Sequence, residues 1–139
     1  MAGVIRVVVE TGAKRTFACA IDWPGWYRSG RDEESALAAL FECAHRYAQA
    51  LTRRRIPVPA VKDASAFTVV ERVKGNATTD FGAPGAVTKG DARRVTADDL
   101  RRLGAFHDAC WREFDAIAVS ARGRPLRSEE RRVGKECRL

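Results

Sequence analysis

Metal-binding chemistry in this chain rests on two histidines and four cysteines, and a single pair of them stands at a useful spacing. His107 and Cys110, at i and i+3, share one side of a helix and would offer two ligands to a zinc-type ion. A closed site needs more ligands than that, and both residues also fit a core stripe, so packing is their expected role and they are no more than candidate metal ligands. His45 has no ligand neighbour at such a spacing, and Cys19, Cys43, Cys110 and Cys137 contain no CxxC pair. A two-metal nuclease needs several converging carboxylates. Glu10 and Asp22 fall near strand ends and Glu34 at a helix start, which are ordinary places for solvent-facing acids. Gly82-Ala83-Pro84-Gly85 fits neither phosphate-binding glycine loop, and Asp80-Phe81-Gly82 is accompanied by no other kinase motif. No catalytic residue, metal or cofactor is therefore expected. Recognition is left, and the candidate partner surface is Trp26, Tyr27 and Arg28, with Trp23 assigned to the core.

These residues must be positioned by a few elements. VIRVVVE is a short β-branched strand, with Ile5, Val7 and Val9 on one face and Val4, Arg6, Val8 and Glu10 on the other. The stretch 16–51 reads as a second strand, a turn at Pro24-Gly25, a brief third strand over Trp26-Tyr27-Arg28 and one long amphipathic helix capped by Asp32. Leu37, Leu40, Phe41, Ala44, Tyr47, Ala48 and Leu51 form the helix stripe, and Arg53, Arg54 and Arg55 form a solvated end. AFTVVERV is a further strand, free to lie parallel to an earlier one after a helical crossover. Residues 76–95 are Gly/Pro-rich and read as a linker or a long ordered loop. Thr96 and Asp99 open a second helix with capping-box spacing. In that helix Leu100, Leu103, His107, Cys110, Phe114 and Ile117 recur at steps of three and four, widened by Phe106 and Trp111. Such a face needs a partner, either the first domain or further helices of a bundle.

The 139 residues allow one domain, or one plus a fragment. An apolar share of 45% and a charged share of 31% exclude a disordered chain, and no apolar run is long enough to span a membrane. The opening MAGVIRVVVETG lacks export-signal character, so a cytoplasmic location with reduced thiols is expected. Net charge is +7, and Arg-rich usage on that scale does not by itself imply nucleic acid.

The pieces VIRVVVE, TFACAIDWPGWYRSG and DEESALAALFECAHRYAQAL resemble the HicB-like antitoxin domain over residues 4–73. The resemblance implies a small sheet crossed by a helix and a non-catalytic module that binds a small protein partner. No ribbon-helix-helix or helix-turn-helix text follows. LRRLGAFHDACWREFDAIAVS resembles the opening helix of a DinB-like bundle, a family in which three histidines commonly hold a metal, and this chain has only His45 and His107. RSEERRVGKEC, residues 127–137, resembles the translation of a common short-read sequencing adapter and is expected to be foreign to the natural protein. The expected organisation is an α+β domain over 3–75, a linker over 76–95, a helix over 96–121 and a disordered tail over 122–139. Its sheet is small and antiparallel-rich, β-β-β-α-β, with one helix packed across it and a C-terminal amphipathic helix beyond. The expected partner is a small protein or the chain's own downstream domain, and neither a membrane nor nucleic acid.

Overall fold

A computed structural model of the chain describes residues 4–125. The tail expected to be foreign from residue 127 lies outside the described residues. The architecture is α+β. Strands β1 (Ile5–Thr11), β2 (Thr16–Ala20) and β3 (Tyr27–Gly30) are followed by helices α1 (Glu33–Glu42) and α2 (Ala44–Thr52). Then come β4 (Phe67–Lys74), the short helix α3 (Ala77–Phe81) and the long helix α4 (Ala97–Ser120). The four-stranded sheet has the order β3-β2-β1-β4. β1 pairs antiparallel with β2 and parallel with β4, as the helical crossover permits, and β2 pairs antiparallel with β3. Val70 is an extra residue in the β1–β4 ladder, between the pairs Val7↔Val69 and Val8↔Glu71, and this bulge turns it outward.

The core lies between the sheet and α1. Ile5, Val7 and Val9 of β1 and Ala18 and Ala20 of β2 face Ala36 and Leu40, all buried. The alanines keep that face flat, and Gly30 lets β3 run close beneath α1: a Cβ there would lie 2.5 Å from the Ala36 amide. Asp32 begins the helix by accepting from Ser35 N–H at 2.8 Å, while the Ser35 hydroxyl accepts from Asp32 N–H at 3.1 Å.

Three features depart from the sequence reading. The expected single helix is two, parted at Cys43. The Leu40 carbonyl, which an unbroken helix would offer to Ala44 N–H, accepts from Trp26 Nε1 at 3.1 Å, and a side chain inserted at the ladder bends a helix. Trp26 is also the second departure. Gly25 adopts φ +82°, which turns the chain back, and Trp26 goes under the helices with only 1% of its surface exposed. Its ring stacks on Tyr47 at 5.0 Å and meets Phe67 edge-on at 5.8 Å. Trp26 is therefore a core residue and leaves the expected partner surface.

The third departure is from a linker over 76–95: of the two forms expected for this segment, the ordered loop is the one present. It folds onto the sheet instead of spanning a gap. Asp80 of α3 accepts from Lys14 N–H at 2.7 Å and Ala13 N–H at 3.2 Å, which fastens it to the β1–β2 loop. Glu10 is buried and accepts from Gly85 N–H at 2.9 Å, Ala86 N–H at 3.0 Å and the Thr79 hydroxyl. The second face of β1 is thus covered at Val8 and Glu10 and exposed at Arg6.

Candidate functional site

Helix α4 begins in a full capping box. Thr96 Oγ1 accepts from Asp99 N–H at 3.2 Å and Asp99 accepts from Thr96 N–H at 2.9 Å. Both terminal guanidinium nitrogens of Arg93 donate to Asp99 at 2.9 Å. Arg93 first, then Thr96, hold the Asp99 carboxyl well below the usual carboxylate range. The start of α4 is thereby fixed relative to the segment before it.

The helix docks by one narrow face. Phe106 and Ala109 are buried against Leu51 of α2, and Trp23 meets Phe106 edge-on at 6.0 Å. Arg102 lies over both rings, 5.3 Å from the centre of Trp23 and 5.1 Å from that of Phe106, and donates to the Asp22 carbonyl. Arg53 pairs with Glu113 at 2.7 Å, and Arg54 donates to the Arg112 carbonyl at 2.9 Å. Two members of the arginine run expected to be a solvated helix end, Arg53 and Arg54, therefore hold α4, while Arg55 is exposed as expected.

The stripe singled out in the sequence is a different one, and it faces outward. Phe114 keeps 61% of its surface exposed, Leu100 63% and Ile117 58%, with Leu103 and Trp111 about half exposed. Trp111 Nε1 donates to His107 Nε2 at 2.8 Å, and the Trp111 ring meets Phe114 edge-on at 5.9 Å. The outcome is an aromatic cluster of His107, Trp111 and Phe114 standing in solvent. Exposed aromatic rings already ordered against one another are the usual anchors of protein interfaces. Phe106 was read in the sequence as widening this stripe; the positions 102, 106, 109 and 113 form their own three-and-four series, and that series is the one that docks.

The metal candidates do not assemble into a site. His107 uses Nε2 to accept from Trp111, and its Nδ1 is 3.7 Å from Asp108. Cys110 is exposed beside it, and among the described residues no group of three or more potential ligands converges. Glu10 and Asp22, each expected near a strand end, lie toward opposite ends of β1. Val7 pairs with Ala20, and Ile21 N–H donates to the Arg6 carbonyl, which places Asp22 beside Arg6. Arg6 then holds Asp22 through two hydrogen bonds of 2.9 and 2.6 Å. Glu10 is four positions further along β1, about 13 Å at the usual strand rise, and is occupied by the 79–86 segment. Glu34 is exposed at the start of α1.

A groove of about 450 Å³ lies on the sheet face away from α1, with Val8, Cys19, Tyr27 and Val70 among its walls. Its charged rim is already paired, Arg6 with Asp22 and Arg93 with Asp99, and Glu10 is filled by main-chain donors. Burial, and secondarily Glu10, push the Cys19 thiol up to about 12, which disfavours the nucleophilic thiolate. Of the expected partner surface, Tyr27 and Arg28 remain. Both lie on β3, an edge strand of four residues, where Tyr27 is exposed and Arg28 partly so. No helix among the described residues is long and apolar enough to cross a membrane. Comparison of the chain with protein-family models, with curated proteins and with solved structures yields no match in any of the three.

Proposed function

We propose that this protein is a cytoplasmic, HicB-like, non-catalytic module that works by binding another polypeptide, and that the outward face of α4 is its principal contact. The observation that carries the reading is the division of α4 into a docked face of Phe106 and Ala109 and an uncovered face bearing Trp111 and Phe114. Covering large exposed rings is favourable by about 25 cal/mol for each Å² removed from water, and a catalytic role would give α4 no reason to keep them wet. The pairing of the sheet's few carboxylates and the high pKa of Cys19 support the non-catalytic half of the reading. The implied HicB-like order of strand, strand with a Pro-Gly turn, and acidic-started helix agrees with β1, β2 and α1.

A second reading draws on the same face. The uncovered stripe is what the first helix of a DinB-like bundle would present to its neighbours, and a metal site would then be completed by residues outside this chain.

A photo-crosslinking amino acid in place of Phe114 tests the proposal, with the same group in place of Lys62 as control. Polypeptide adducts at position 114 and none at 62 are expected, in the purified chain or in an extract of its source cells. Equal or absent labelling at both positions overturns it.

A further inference from the structure

Among the described residues, no contact and no backbone conformation calls for glycine at position 104. It stands inside the 24-residue helix α4, where glycine costs about 1 kcal/mol relative to alanine. Nothing lies within 4 Å of a Cβ built at that position, and its φ is not in the left-handed region. Neither close packing nor backbone conformation accounts for it. The helix wheel supplies a reason. At 100° per residue, Gly104 belongs to a line that continues through His107, Trp111, Phe114 and Ala118 and starts at Leu100, with steps of four, three, four, three and four. This line lies roughly 150° around the helix from the docked residues Phe106 and Ala109, and all six of its members are exposed.

We infer that this face of α4 pairs with the same face of a second copy, the two helices running antiparallel about a two-fold axis between His107 and Trp111. The inference rests on the reading of α4 as a binding face and names its occupant. One antiparallel register uses every position of the line. It sets Leu100 against Ala118 of the second copy, Gly104 against Phe114 and His107 against Trp111. Large residues then meet small ones: the Phe114 ring enters the space that Gly104 leaves open, and Leu100 lies over Ala118. The contact is self-complementary, as a two-fold interface requires.

Charge points to the same orientation. Arg101 and Asp115 lie on one flank of the line, and the antiparallel register brings Arg101 of each copy beside Asp115 of the other. A parallel pairing would put Arg101 and Asp115 of one copy on the opposite side of the seam from those of the other, leaving both without a partner, and would also align the two helix dipoles unfavourably. Among the described residues Arg101 forms an ion pair with the neighbouring Asp98, both of them well exposed, so it is free to turn outward. Against the pairing stands Asp108, which meets its own counterpart near the axis. The docked domain leaves the interface clear because it holds the other side of the helix. A helix pair about 36 Å long sits at the small end of specific interfaces, so a dissociation constant of roughly 10 to 100 µM is expected.

The test is sedimentation velocity on the full chain from about 1 to 300 µM, a range chosen to bracket that constant. The expected result is a reversible passage from monomer to dimer. Gly104→Leu should weaken the dimer about tenfold or more while raising helicity, because the side chain fills the space meant for Phe114. Arg101→Glu and Asp115→Arg should each weaken it, and the double variant should recover the wild-type constant. A dimer indifferent to Gly104→Leu overturns the proposed pairing, and so does a charge swap without recovery. A chain that stays monomeric, while a crosslinker at position 114 captures a different polypeptide, overturns the self-pairing and leaves the binding reading standing. A monomer with no capture overturns both.

Discussion

The indole of Trp26 and the main-chain carbonyl of Leu40 are joined by a hydrogen bond of 3.1 Å, and the helix that Leu40 belongs to ends within one turn of it. That bond ties the Pro24-Gly25 turn to the break at Cys43. Trp26→Phe removes the donor and part of a fully buried ring, and should cost about 2 to 3 kcal/mol in urea unfolding. Tyr27→Phe, one residue on and at an exposed edge, should stay within about 0.5 kcal/mol. Equal effects of the two would contradict the burial of Trp26.

Glu10 predicts a second, local effect. Its carboxylate accepts from Gly85, Ala86 and Thr79, all far along the chain. Glu10→Gln turns an amide NH₂ toward those donors and should cost about 2 kcal/mol. Amide exchange at Gly85 and Ala86 should accelerate sharply, whereas Asp22→Asn, which breaks a surface pair, should leave both amides unchanged.

Asp99 sets a dependence on pH. Its carboxyl is held below its unfolded value by Arg93 and Thr96, so the stability it contributes is fully present above the unfolded pKa of about 3.9. That contribution is lost as pH falls from there toward the lowered folded value. Thermal unfolding of wild type and Asp99→Asn should therefore differ most near neutrality and converge in strong acid. A gap that widens on acidification would have the wrong sign for this account.

Much of the sheet was legible because strands announce themselves locally. The alternation of VIRVVVE and the β-branched run of AFTVVERV predict β1 and β4, and a helical crossover permits their parallel pairing. What escaped were relationships across long stretches of sequence. Glu10 reads as a solvent-facing strand end because nothing near it in sequence covers it; its partners come from Thr79, Gly85 and Ala86. Trp26 reads as exposed because its direction depends on φ at Gly25, which composition does not disclose. In α4 the apolar period was plain. Which of two overlapping periods docks is decided by where Trp23 and Leu51 stand, and the less conspicuous series prevails because Arg102 and Glu113 find partners there. The glycine at 104 was the available clue, since a residue poor for helices inside a long helix asks for a neighbour.

The division of α4 into a docked and an outward face is tested most directly by comparing Phe106→Ala with Phe114→Ala in chemical unfolding. The comparison belongs near 1 µM, where self-association adds nothing to apparent stability. Phe106 is 4% exposed and Phe114 61%. The account predicts a loss of about 3 kcal/mol for Phe106→Ala and a change within about 0.5 kcal/mol for Phe114→Ala. Phe114→Ala should nevertheless abolish association at high concentration. The reverse order of costs would mean that the helix docks by the other face, and the account would fail.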